Sequence, residues 1–230
     1  MIKAVVFDLD GTLCKIGKNI LQKNVRKLKK LESKGVKVVI SSGKPTYYLC
    51  GLFRQVGLNS PIFIGENGAN IQFGIDLPPV YFHTFAPDDE TKNNINDVRN
   101  QIEKRFPNIF FQPNVVGLAV FPQSDEQYAV LREIIKDNQD KLSKTNVYYH
   151  KDAIDIAPKG IDKKISLEYL MKKLEINKNE IISVGDGTND YPMFECTGLS
   201  YGVNIKDPSK VSKNFKKISQ VLDYILENNV

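Results

Sequence analysis

Long apolar runs are missing from this 230-residue chain. No stretch approaches the roughly twenty residues that a membrane-crossing helix needs, so no membrane partner is expected. Cysteine is scarce as well. Cys14, Cys50 and Cys196 are odd in number and stand in no metal-ligand spacing. That argues against a disulfide framework or a cysteine-zinc site and suits reduced thiols in the cytoplasm. Neither sign of charge dominates. The net charge of +5 comes from scattered Lys and Arg accompanied by nearly as many acids, which leaves no footprint for nucleic acid but suits an anionic substrate. No internal repeat or low-complexity segment occurs, and no charged-then-apolar leader precedes the first apolar run.

What remains is ordinary for a folded chain, 41% hydrophobic and 26% charged, long enough for one large domain or two smaller ones. The informative stretch is Ala4-Val5-Val6-Phe7-Asp8-Leu9-Asp10-Gly11-Thr12. An apolar, β-branched run that breaks into acids reads as a strand buried on both faces of a parallel sheet, with carboxylates at the end where α/β folds bind ligands. Alternation along the strand turns Asp8 and Asp10 to one side and Leu9 to the other. Two acids so close repel unless a cation or a shared proton offsets the charge, so the pair predicts a metal. An acidic turn that merely ends a strand is the plainer alternative for these residues alone.

Helical spacing of Leu21, Val25, Leu28 and Leu31 predicts an amphipathic helix, stopped near Gly35. Val36 to Ile40 then forms a second apolar run, closed by Ser41-Ser42-Gly43-Lys44-Pro45. Strand, helix, strand is a right-handed βαβ unit, which brings Ser42 to the same edge as Asp8. Its hydroxyl is placed to donate to a phosphate oxygen, or serves ordinary turn chemistry. A third run, Pro61 to Ile64, ends in Gly65-Glu66-Asn67-Gly68-Ala69. Strands over Val80–Phe85, Val115–Phe121 and around Val147–Ile156, with helices over Asp88–Phe106 and Asp125–Asn138, predict an inserted α+β domain over residues 78–158. The core pattern resumes with a helix carrying Leu167, Leu170, Met171 and Leu174 and a strand, Ile181 to Val184, that breaks into Gly185-Asp186-Gly187-Thr188-Asn189-Asp190. Asp186 and Asp190 offer hard oxygens of the kind magnesium prefers. A calcium loop is the competing reading, without the usual acid spacing. A last helix around Val221 and Ile225 packs on the sheet. The expected fold is α/β, a Rossmann-like three-layer parallel-sheet core (1–77 plus 159–230) with an inserted α+β cap.

Four ordered pieces, Asp8-Leu9-Asp10-Gly11-Thr12, Ser42-Gly43, Gly160-Ile161-Asp162-Lys163 and Gly185-Asp186-Gly187-Thr188-Asn189-Asp190, resemble the motifs of the haloacid dehalogenase superfamily of phosphatases. Glu66-Asn67-Gly68-Ala69 and the place of the insert resemble its subgroup with an α/β cap between the second and third motifs, which includes sugar-phosphate and archaeal-type phosphoglycolate phosphatases. The resemblance implies a Mg2+-dependent phosphomonoesterase acting on a small phosphorylated metabolite, as monomer or dimer. Asp8 would become an aspartyl phosphate, and Asp10 would act as acid and then base, which requires it to start protonated. Magnesium would sit on Asp8, the Asp10 carbonyl and Asp186, with Asp190 in support directly or through water. Ser42, Gly43 and Lys163 would hold the phosphoryl oxygens, while Asn189 fixes its loop.

Lys44 stands where many relatives carry arginine, keeping charge without the planar fork. The run Asn204-Ile205-Lys206 departs from the pattern too, which removes one substrate contact from expectation. His83 and His150 are expected on the surface of the insert's sheet rather than in catalysis. Tyr148, Tyr149 and Lys151 face substrate only if their strand lines the inner side of the cap, and Tyr47-Tyr48 and Phe110-Phe111 are expected as packing residues. A phosphotransferase or phosphomutase of the same superfamily is the alternative. A phospho-accepting signalling receiver needs neither Asp10 nor an insert.

Overall fold

The apolar run ahead of the first acids forms β1 (Ala4–Asp8), and all five of its residues are buried, as a strand covered on both faces requires. The computed structural model describes all 230 residues. In chain order there follow α1 (Gln22–Ser33), β2 (Lys37–Ser41), α2 (Thr46–Val56), β3 (Ile62–Gly65), β4 (Asn70–Phe73), β5 (Tyr81–Thr84), α3 (Asp89–Arg105), β6 (Phe110–Gln112), β7 (Leu118–Phe121), α4 (Asp125–Asp137), β8 (Thr145–Tyr149), β9 (Ile154–Pro158), α5 (Lys163–Leu174), β10 (Ile181–Gly185), α6 (Tyr191–Cys196), β11 (Leu199–Val203), β12 (Lys213–Phe215) and α7 (Ile218–Asn228). The chain divides into a large unit, Met1–His83 with Asp162–Val230, and a small one, Thr84–Ile161.

In the large unit the sheet order is β12-β11-β10-β1-β2-β3-β4-β5. Every pair from β12 to β3 is parallel, and β4 returns antiparallel to β3. β1 lies between β10 and β2, with Phe7 opposite Val184 and Asp8 opposite Ser41. Parallel pairing therefore carries the acid, hydroxyl and glycine ends of three strands to one edge of the sheet. On one face Val5 and Phe7 join a core with Leu28 and Leu31 of α1, Leu49 and Phe53 of α2, and Val221 and Ile225 of α7. Alternation turns Ala4, Val6 and Asp8 to the other face, where α5 and α6 pack together and bury Leu167, Leu170 and Met193. Helices, parallel sheet and helices make this an α/β three-layer fold.

The small unit is α+β. Its antiparallel sheet runs β6-β7-β9-β8, and Ile95, Val98 and Ile102 of α3 with Leu131 and Ile135 of α4 pack on Leu118, Val120, Ile154 and Ile156. Both helices start on side-chain caps: Asp88 accepts from the Thr91 N–H and Ser124 from the Gln127 N–H. Each cap satisfies a donor the helix leaves open.

Several expectations need correction. The strand foreseen at Val80–Phe85 forms as β5, but it joins the large sheet beside β4 instead of the insert's sheet. His83 accordingly belongs to the large unit, stacked on Tyr169 with ring centroids 4.3 Å apart. Tyr47 and Tyr48 are half exposed on α2, whose packing face is Leu49, Phe53 and Val56. Phe110 is exposed on β6 too, while Phe111 packs against the core. No helix is long and apolar enough to cross a membrane.

Candidate active site

Lys163 is the first residue of α5, and burial of its side chain, only 1% exposed, drives the ammonium inward to the ends of β1 and β2. There Nζ donates to Asp8 Oδ1 and to Asp190 Oδ1, both at 2.7 Å, and to the Ser41 carbonyl at 3.3 Å. Three acceptors match the three donors of an ammonium. The helix start that delivers it is capped by Asp162, whose carboxylate accepts from the N–H groups of Lys164 and Ile165. Against that start lies the turn Glu66–Gly68: the Ser166 hydroxyl donates to the Gly68 carbonyl. Gly68, at φ +113°, leaves no room for a side chain beside the Asp162 carbonyl.

Asp190 is fully buried, and both of its carboxylate oxygens accept from protein donors. One oxygen takes Lys163; the other accepts from the backbone N–H of Asp186 at 2.9 Å and of Gly187 at 3.0 Å. It thereby folds the loop after β10 and aims Asp186 back toward β1. Asp186 in turn accepts from the buried Thr12 hydroxyl at 2.7 Å. Gly11, at φ +96°, lies so close to this carboxylate that a Cβ would overlap it. One carboxylate oxygen each from Asp8, Asp186 and Asp190 lies within 4.8 Å of the other two.

Ser42 and Gly43 follow β2 directly. The Ser42 side chain is buried, and its Oγ accepts from the Lys44 N–H at 3.3 Å. The Ser42 backbone is pinned at both ends, its N–H donating to the Ile64 carbonyl and its carbonyl accepting from the Asn67 N–H, each at 2.9 Å. Lys44 Nζ stands 3.8 Å from Asp10 Oδ2, and both side chains remain partly exposed.

Electrostatics follow from one ammonium facing several acids. Burial pushes the Asp8 carboxyl up to about 7, the Lys163 cation pulls it back, and the charges of Asp190 and Asp186 add to the rise. For Lys163, burial disfavours the cation, but attraction to Asp8 and Asp190 overrides it and holds the ammonium firmly protonated. Burial also raises Asp186 above the ordinary carboxylate range, against the hydrogen bond from Thr12. When all three acids ionise, one cation cannot balance them. The donors that converge here are carboxylate oxygens only, and they carry more negative charge than Lys163 offsets, so Asp8 and Asp186 fit a hard divalent cation.

Of the residues singled out in the sequence, Asp8, Lys163, Asp186 and Asp190 form one hydrogen-bonded cluster, and Asp10 with Lys44 forms a second, more open pair beside it. Asn189 is exposed, its amide oxygen packed where a Cβ on Gly187 would stand. Lys163, expected on phosphoryl oxygens, has its donors directed at protein acceptors instead. Asp190 has both oxygens occupied by protein donors. Thr12 and Ser166 were not foreseen; the single signal for Thr12 is a hydroxyl closing the acid-glycine turn. His150 lies outside this cluster, in the small unit, with Nε2 3.2 Å from Asp155.

Fold and site together define an α/β enzyme whose acids converge from separate strand ends. The chain belongs to the haloacid dehalogenase-like hydrolase family, which matches it over residues 5–99 and 79–220. It is 30% identical to a phosphoglycolate phosphatase of Thermoplasma volcanium, over 95% of this chain and 90% of that one. A phosphoglycolate phosphatase of Staphylothermus marinus is 26% identical, over 90% of this chain and 87% of that one. Among solved structures, a haloacid dehalogenase-like hydrolase from Bacteroides thetaiotaomicron shares the fold at TM-score 0.79 and 19% identity, covering 98% of this chain and all of that one.

Proposed function

We propose that this phosphatase hydrolyses a small phosphorylated metabolite, phosphoglycolate foremost, through an aspartyl phosphate on Asp8 and with magnesium as its cation. The observation that carries the reading is the convergence of Asp8, Asp186 and Asp190 around Lys163 at the end of β1. A carboxylate attacking a phosphate dianion must overcome like-charge repulsion, so it needs a fixed cation and fixed donors. Asp8 Oδ1 is held by Lys163 and is thereby oriented, leaving Oδ2 to form the bond to phosphorus as the ester oxygen departs. Asp10, partly open to solvent, gives the departing oxygen a proton and then takes one from the water that cleaves the aspartyl phosphate, regenerating both acids. The Ser42 hydroxyl and the neighbouring backbone hold the transferred oxygens. Asp8 and Asp186 would hold magnesium, which would supply positive charge to offset that of the phosphoryl group.

Phosphoglycolate enters through the names of the relatives and through size: a two-carbon leaving group asks little of a recognition surface. Three unpaired cysteines suit work in the reducing cytoplasm. The test is phosphate release from phosphoglycolate, hexose phosphates and a disaccharide phosphate, with magnesium and with EDTA. The reading requires the largest kcat/KM for phosphoglycolate, release that stops in EDTA, and no turnover by Asp8→Asn. Equal rates in magnesium and EDTA, or full activity of Asp8→Asn, would overturn it. Phosphate passing to an added sugar instead of water would make the protein a phosphotransferase.

A further inference from the structure

We propose that Thr12 is a positioning residue for the cation: its hydroxyl locks Asp186 through Oδ1 and so presents Oδ2 to the metal. The proposal rests on the magnesium reading above. An aspartate carboxylate turns about a broad terminal torsion, so an unanchored Asp186 would sample many directions. Here the Thr12 hydroxyl donates to Oδ1 at 2.7 Å, across 174 residues of chain. The bond is charge-assisted when Asp186 is ionised, and its donor is buried, Thr12 being 2% exposed.

The anchor is itself held rigid. Cys14 N–H donates to the Leu9 carbonyl at 3.1 Å and Gly11 N–H to the Cys14 carbonyl at 2.7 Å, closing the turn that carries Thr12. On the other side the Asp186 backbone is fixed through its N–H on Asp190. Main chain and side chain of Asp186 are thus secured by different partners, Asp190 for the first and Thr12 for the second. Gly11 lies against the same carboxylate, so close that a Cβ there would overlap it. In this proposal Thr12 acts through Asp186, the acceptor of its hydroxyl.

Partners that orient a metal ligand typically affect affinity by about 10- to 100-fold. Thr12→Val keeps the shape and removes the donor, and Thr12→Ser keeps the donor and removes the methyl. Magnesium is titrated calorimetrically into each purified chain, without substrate, alongside the melting temperature in EDTA. The expected result is a magnesium Kd raised about tenfold or more in Thr12→Val, a near wild-type Kd in Thr12→Ser, and a magnesium requirement for activity that rises in step with Kd. If Thr12→Val does not fold, Thr12→Ala is titrated in its place and must show the same loss. Wild-type binding that Thr12→Val, or Thr12→Ala in its place, matches overturns the proposal while leaving the metal reading intact. A wild-type chain that takes up no magnesium overturns the metal reading, and this proposal with it.

Discussion

Asp8→Asn should abolish turnover and yet stabilise the metal-free protein. Burial lifts the Asp8 carboxyl from its ordinary 3.8 to about 7, in spite of Lys163 Nζ at 2.7 Å. In the unfolded chain the same group titrates near its ordinary value. Between about pH 4 and pH 7 the folded protein therefore keeps a proton that the unfolded chain has released, and each rise in pH favours unfolding. At about 1.4 kcal/mol per pKa unit, the rise from 3.8 to about 7 amounts to about 4 kcal/mol, all of it lost by pH 7 and none of it below pH 4. Asparagine carries no charge to strip of water and still offers an oxygen to Lys163. Relative to wild type, Asp8→Asn should gain stability steadily across that window, by up to about 4 kcal/mol at neutral pH. Urea denaturation in EDTA at a series of pH values measures the difference. A difference that stays flat from pH 4 to pH 8, or a variant less stable than wild type at pH 8, would refute the reasoning.

Lys163→Met leaves two buried carboxylates without their shared cation, so it should lower stability by about 3–5 kcal/mol in urea denaturation at neutral pH, and by less in acid, where Asp8 is protonated. Gly11→Ala places a side chain against Asp186 at φ +96°; magnesium should then raise the melting temperature much less than in wild type, with the Kd weakened about tenfold or more. Lys44 is a partly exposed ammonium at the mouth of the site, 3.8 Å from Asp10. Lys44→Met should raise KM for phosphoglycolate about tenfold in steady-state assays, as loss of one charge-assisted contact does, while kcat changes less.

The sequence is most legible where burial is complete. β1, β2 and β10 are buried over almost their whole length, so each reads as a largely apolar run whose end is marked by a turn signal. α1, α5 and α7 show through their spacing. Elements defined by partners are harder to see. The alternation in β5 fits any half-buried sheet, and only pairing with β4 decides which sheet it joins. In α2 an aromatic pair behind Pro45 masks a helical face, and β12 is three residues long with two of them polar. The site divides in the same way. Its acids stand out because two carboxylates after an apolar strand have few structural uses. Which donor each acid takes is invisible, since Thr12 with Asp186 and Lys163 with Asp8 are joined across most of the chain. Asp190 illustrates the point: the sequence shows an oxygen donor at loop spacing, and the fold spends that donor on Lys163 and two backbone N–H groups.

Those long-range bonds also explain how a site with surplus negative charge keeps its shape. Repulsion among Asp8, Asp186 and Asp190 would drive the strand ends apart if each loop were held only by its own strand. Each loop is instead tied to another: the turn after β1 to the loop after β10 through Thr12, that loop to α5 through Asp190, α5 to the Glu66–Gly68 turn through Ser166, and that turn to the loop after β2 through the Asn67 N–H. The chain of ties runs across the strand ends and returns to β1 through Lys163 and Asp8. Geometry is thus fixed by neutral and charge-assisted hydrogen bonds, while the charge itself is left unbalanced. On the proposed magnesium reading, a cation would find its ligands already aimed, and the free energy released on neutralising the acids would be available for binding rather than for ordering loops.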